Sequence, residues 1–229
     1  MEDIVARLPK HHGVRFFLDP DNDSAFAFKL SGFQVNQDFT FRVARDQTLN
    51  DVWQGCDQKT RNLIRTAEKK LVVRYEEDIE TFIELSRKEV RHNSHDFPLL
   101  RRLFYEAHKR GQATILNAYE CDDLVSSAIV LWDNNVLYYW QSARSSQSRM
   151  PGRNMLLIWK AIEIAKKRDL IFDFDGFGSV RSAKMLASFG QKPVIRPEVV
   201  FESPLYKVER IINRFVKKHV TKKDYKNDF

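Results

Sequence analysis

The segment Arg149-Met150-Pro151-Gly152-Arg153-Asn154 joins a run of strand-forming residues to a run of helical ones. A helix N-terminus carries unpaired amides and a partial positive charge, so it suits a phosphate. Gly152 lets backbone approach a ligand closely. Pro151 fits a first helical turn, where its missing N–H is no loss. Arg149 and Arg153 add charge-assisted donors. The chemistry implied is phosphate binding; the plainer reading is a helix-start turn.

Other residues carry further chemistry. In Tyr138-Tyr139-Trp140-Gln141-Ser142-Ala143, a strand running into a cleft offers its backbone to an extended ligand. A tyrosine there, Tyr138 or Tyr139, is a candidate proton donor to a leaving group, or else a core residue. Asp173 and Asp175 alternate with phenylalanines near the end of an apolar run, where open sheets bind ligands. They either act on an amine as base and orienter, or cap the Gly176–Ser179 turn, or pair with Arg181. His92, His95 and Asp96 sit together between two helical stretches, a candidate acceptor-binding group. No His/Cys spacing suggests a metal. From Lys59 to Lys70, Arg61, Arg65 and Lys69 recur every four residues, a cationic helical stripe that is either solvated or meets phosphates.

The elements that must position these groups follow from periodicity. Arg15–Leu18 and Phe39–Val43 read as strands, and Ser24–Leu30 as a helix closed by Gly32. Leu49–Lys70 has one continuous helical pattern. From Leu71 the sequence predicts a strand, helices over Asp78–His92 and Phe97–Arg110, and strands over Ala113–Glu120, Leu124–Leu131 and Val136–Ser142. Cys121-Asp122-Asp123 and Asp133-Asn134-Asn135 are short connectors, so these three strands form an antiparallel meander. Arg153–Lys167 is a helix and Leu170–Phe174 a strand, which the crossover makes parallel to Val136–Ser142. Helix Val180–Phe189, strand Glu198–Phe201 and an amphipathic helix Tyr206–His219 complete the order.

This order, β-α-α-β-β-β-α-β-α-β from Leu71, resembles the GNAT acyltransferase superfamily. Lys59-x-Arg61-x-x-Ile64-Arg65-x-Ala67-Glu68-Lys69 resembles the lead-in motif of its Fem-type subgroup, as do Asn154–Ala161, Ile171–Gly176 and Phe189-Gly190. The resemblance implies an α/β (α+β) fold with a mixed, mostly antiparallel sheet and helices on both faces. It implies that Arg149, Pro151, Gly152, Arg153 and Asn154 grip the pyrophosphate of coenzyme A, and that Gln141, Ser142 and Ala143 line its pantetheine arm. It also implies that His92, His95 and Asp96 border the acceptor. Fem-type proteins usually carry two such domains. Here residues 1–45 are a short preface, 46–206 the GNAT-like domain and 207–229 a basic helix and tail. Leu186 stands where the subgroup tends to have lysine.

The function implied is N-acyl transfer from acyl-CoA, acetyl-CoA foremost, to a small-molecule amine such as an amino sugar or cell-envelope precursor. The alternatives are an aminoacyl-tRNA-dependent transferase and a non-catalytic binding module. The net charge of +7 fits an anionic partner without choosing among cofactor, tRNA and anionic membrane. Dimerisation is a further expectation: either a partner copy or another protein would supply the missing first domain. Two cysteines outside any CxxC pair, with no signal-like N-terminus and no apolar run long enough to span a bilayer, point to the cytoplasm or to the inner face of its membrane.

Overall fold

Among the described residues, runs of Val, Ile, Leu, Phe and Tyr give the strands β1 (Gly13–Phe17), β2 (Gln34–Val43), β3 (Val72–Glu76), β4 (Ala113–Glu120), β5 (Asp123–Trp132), β6 (Val136–Arg144), β7 (Ile171–Asp173) and β8 (Pro193–Glu202). Between them lie α1 (Ala25–Leu30), α2 (Leu49–Gly55), α3 (Gln58–Glu68), α4 (Glu80–Glu89), α5 (Phe97–Lys109), α6 (Arg153–Lys167) and α7 (Val180–Ala187). The structure, a computed structural model, describes residues 13–89, 96–206, 208, 209, 211 and 212. The element order from Leu71 is the expected one, and the sheet is mixed and mostly antiparallel, as the resemblance implies. Most of the expected helix beyond Tyr206, and His92 and His95, lie outside the described residues.

The chain divides into two units. The larger holds Phe41–Asp175 and Lys184–Lys192. In it β3, β4, β5 and β6 form an antiparallel meander. β7 joins β6 in parallel, from Val136↔Ile171 to Tyr138↔Asp173, and the end of β2 closes the sheet against β7. The β5–β6 turn is set by Asp133, whose Oδ1 accepts from the amides of Asn135 (2.7 Å) and Val136 (2.8 Å).

Each face of this sheet buries its own core. On one side Ile64, Leu156, Leu157, Ile158, Phe172 and Phe189 pack beneath α2, α3, α6 and α7. On the other Phe82, Ile83, Leu100 and Phe104 press α4 and α5 onto Ile115 and Ile129. Buried aliphatic and aromatic side chains contribute roughly 1.5–3 kcal/mol each.

The helical pattern from Leu49 to Lys70 is two helices, not one. α2 starts on a capping box, in which Thr48 and Asp51 satisfy each other's amides. Cys56 and Asp57 then take extended ψ angles of 142° and 145° and turn the chain. Arg61 caps the end of α2, donating from Nη1 to the carbonyls of Trp53, Gln54 and Cys56. The corner docks on the chain after α7. Asp57 N–H donates to Ser188 O (2.9 Å), and Thr60 Oγ1 to Ser188 Oγ (2.7 Å). Gly190, at φ +76°, meets the Gly55 carbonyl so closely that a Cβ has no room.

The smaller unit holds Met1–Thr40, Gly176–Ala183 and Pro193–Phe229. β1 and β8 pair antiparallel from Gly13↔Glu202 to Phe17↔Glu198. Phe28, Phe33 and Val199 form its small core with Phe16 and Leu18. The buried Glu198 is bonded by Arg15 and, at 2.8 Å, by Asn36. Among the described residues no helix is long and apolar enough to cross a membrane.

Burial at the α2–α3 corner pushes the Cys56 thiol up from 9.0 to about 11, with Arg61 pulling it back only in part. Because the folded value is the higher one, the unfolded chain loses this proton first. Stability therefore declines as pH rises from about 9 to about 11. A thiol reagent at pH 8 should label the exposed Cys121 quickly and Cys56 only on unfolding. Two equally fast thiols in the folded protein would refute the buried corner.

Candidate active site

The site is built around a fork in the sheet. β6 and β7 pair only as far as Tyr138 and Asp173. β7 ends there, while β6 runs on to Arg144. From Tyr139 to Arg144 one edge of β6 is bonded to β5 and the other has no strand partner among the described residues. A register shift sharpens the fork: Gln141 faces Ile129 and Tyr139 faces Val130, so Trp140 is an inserted residue. Such a bulge bends its strand away from its neighbours. The open edge presents backbone N–H and C=O groups to an extended ligand.

That edge leads through residues 145–151 to the start of α6. Gly152 is the N-cap, at φ +79°. A Cβ there would collide with the Leu63 carbonyl of α3, so only glycine lets the two backbones touch. Leu156 N–H makes the first helical bond, to Gly152 O (2.8 Å); the amides before it have no carbonyl one turn back. The segment starts a helix, but Pro151 stands one residue before the Gly152 cap and so lies outside the first helical turn expected for it.

The expected cations sort into two groups. Arg153 turns inward: Nη1 donates to Met150 O and Nη2 to Ser145 O, both at 2.8 Å. It braces the loop instead of reaching out, and burial pulls its pKa down. Arg61 caps α2, and Arg65 stacks on the Trp53 ring at 5.1 Å, with Trp159 edge-on to the same indole. Lys160 ties α6 to α3 through Glu68 (2.9 Å). Two members of the stripe, Arg61 and Arg65, thus engage α2, while Lys69 is exposed. Arg149 and Lys59 remain exposed, with no bonded partner among the described residues. Asn154 turns its Oδ1 to the Ser126 hydroxyl (2.9 Å), beneath the helix start.

Asp173 is fully buried and paired with the equally enclosed Arg42, Nε to Oδ2 at 2.7 Å. Its Oδ1 accepts the Asp175 amide (2.8 Å). Both oxygens are engaged, so it anchors the fork and is no free base. Asp175 follows, half-buried at φ +59°. Tyr138 is half-buried at the fork, whereas Tyr139 lies in the core under α6. Burial drives the Tyr139 phenol above its usual range, offset only in part by Ser142. Gln141 is half-buried, Ser142 exposed and Ala143 buried. Asp96 caps α5, its carboxylate accepting Leu99 N–H (3.0 Å). Among the described residues no group of three or more His, Cys, Asp or Glu could hold a metal ion.

Beside Pro151 lies an open groove of about 550 Å³, lined by Gln58, Lys59, Asn62, Leu63 and Thr66 of α3. Sequence reasoning followed the every-fourth-residue cations and missed this face. Gln58, Asn62 and Thr66 share the same spacing, but their polar groups carry no charge to draw the eye.

A sequence profile described as an acetyltransferase (GNAT) domain matches residues 56–179. No curated protein matches the chain. Among solved structures, it is similar to FemX at 13% identity and a TM-score of 0.67, covering 90% of this chain and 76% of that one. It is also similar to the C-terminal domain (DUF2156) of a putative lysylphosphatidylglycerol synthetase from Agrobacterium fabrum, at 10% identity and 0.54, covering 85% and 69%. A tandem GNAT protein from the clavulanic acid biosynthesis pathway gives 11% and 0.54, with 87% and 66% covered. At these identities the likeness is one of fold.

Removing one partner of the pair at the fork should be severe. Asp173→Asn should lower stability by about 3–5 kcal/mol in urea denaturation, because Arg42 is left buried without its countercharge. Arg42→Met combined with Asp173→Leu, which removes both charges, should lose less. A single variant within about 1 kcal/mol of the parent would show that the pair is not a structural anchor.

Proposed function

Because the chain belongs to the GNAT acetyltransferase-domain family, we propose that it transfers an acyl group from a coenzyme A thioester to a primary amine. The observation that carries this reading is the fork: an unpaired edge on β6 that leads to the N-terminus of α6. A pantetheine arm is extended and carries amides, so it pairs with a strand edge as another strand would. Its pyrophosphate then meets the first amides of α6, and Arg149 and Lys59 supply positive charge beside them.

The neutral amine attacks the thioester carbon. The C–N bond forms, the C–S bond breaks, and sulfur leaves as a thiolate that takes up a proton while nitrogen sheds one. Fixed strand amides stabilise the oxyanion, and holding both reactants at the fork supplies much of the acceleration. We assign the thiolate's proton to Tyr138 and orientation of the amine to Asp175. Amines of the cell-envelope class are added on the Fem-type resemblance alone. Commitment of Arg61 to the carbonyls that end α2 favours a small thioester donor over aminoacyl-tRNA, since this cation would otherwise be available to phosphates.

Calorimetry with coenzyme A tests the donor. The parent chain should bind it, and Lys59→Glu with Arg149→Glu should weaken binding by ~1–3 kcal/mol, the range for charge-assisted contacts. Arg153→Gln should instead destabilise the loop and the fold. A folded charge-reversed variant with parental affinity would remove Lys59 and Arg149 from the site. If the parent binds aminoacyl-tRNA and not coenzyme A, the thioester reading is wrong. If it binds neither, a non-catalytic module remains.

A further inference from the structure

The chain after β8 begins a helix that is fixed by one aromatic contact. Tyr206 lies on Gly13 of β1 so closely that a Cβ there would stand 2.8 Å from the ring. Tyr206 therefore marks the inward side of this helix, whose described residues are Pro204–Tyr206, Val208, Glu209, Ile211 and Ile212. At about 100° per residue, Leu205, Val208, Ile211 and Ile212 fall between roughly 140° and 260° around from Tyr206. That is the opposite side. They are 75%, 55%, 66% and 55% exposed, respectively. Contiguous bare aliphatic stripes of this kind mark interaction surfaces. The same unit also bares Phe26 and Leu30, one turn apart on α1.

The chemistry around the stripe selects its occupant. From Lys207 to Lys226 the sequence has eight Lys or Arg and two acids. A second copy would set two strongly cationic segments against each other. A nucleic acid would satisfy the cations and leave the aliphatic groups in water. An anionic bilayer takes both, with acyl chains for the stripe and headgroup phosphates for the lysines and arginines. We propose that the segment from Pro204 onward docks on an anionic membrane surface, with Leu205, Val208, Ile211 and Ile212 as its embedded side.

Sedimentation of the full chain with lipid vesicles tests this. The protein should pellet with phosphatidylcholine–phosphatidylglycerol vesicles and stay in solution with phosphatidylcholine alone, and added salt should weaken the binding. Ile211→Ser with Ile212→Ser should lower the affinity by about tenfold or more. Lys217→Glu with Lys218→Glu should do so by a similar factor. Both variants alter residues away from the Tyr206 contact, so an unchanged melting curve verifies the fold. The proposal fails if the protein ignores anionic vesicles, or binds both vesicle types equally. It also fails if the isoleucine variant dissolves a dimer seen by light scattering without changing vesicle binding. Retention of RNA with no vesicle binding would overturn it too.

Discussion

The contact between the Leu63 carbonyl of α3 and the backbone of Gly152 sets the geometry on which the larger unit's site depends. Two backbones approach this closely only where one lacks a Cβ and tolerates φ +79°. The contact fixes the first turn of α6 in three dimensions, and with it the direction in which its unpaired amides point. The rest of α3 serves the same contact. Glu68 reaches Lys160, Arg65 and Trp159 share the Trp53 ring, and the corner at Cys56 is held on Ser188 and Phe189. The cationic stripe, which sequence left as either solvated or phosphate-binding, thus lends Arg61 and Arg65 to the clamp on the helix that forms the turn.

The buried Arg42–Asp173 pair complements that clamp from the other side of the fork. It joins the last residues of β2 to the last residue of β7, where parallel pairing stops. Burying two charges carries a desolvation penalty that their attraction only roughly offsets, so such a pair contributes definition more readily than net stability. Here it defines where β7 ends. The Asp175 amide on Asp173 Oδ1 turns the chain away immediately afterwards. A sheet whose strands merely diverged would leave the opening ill-defined; this one diverges at a tethered residue.

The order of elements was legible because periodicity changes cleanly from helix to strand to helix, and because short Asp-rich connectors allow only hairpins. The parallel β6–β7 pair followed from the helix between them. The break at Cys56–Asp57 was not legible: both halves of Leu49–Lys70 share one amphipathic pattern, and an extended dipeptide leaves no mark in it. The first part of β2 was hidden because Gln34-Val-Asn-Gln-Asp mixes polar residues into a strand that is partly exposed. At the site, sequence showed where charge was but not whom it met. Asp173 alternated with phenylalanines like a reacting acid, while its partner Arg42 lay 131 positions away. Alternation put Tyr138 and Tyr139 on opposite faces, but sequence did not say that Tyr139 was the one facing the core. The Pro-Gly turn was readable because its chemistry is local.

The open edge of β6 also bears on the protein's behaviour in a crowded solution. Unpaired strand edges at the rim of a sheet recruit strands from other molecules and seed aggregates. The edge from Tyr139 to Arg144 belongs to an interior strand, with β5 bonded on one side and β7 closing the base of the gap on the other. A foreign strand would have to enter a narrowing wedge, whereas a single slender chain end has only to slide in. The same divergence that exposes hydrogen-bonding groups to a ligand thus shelters them from neighbouring proteins, so solubility and binding are served by one geometry.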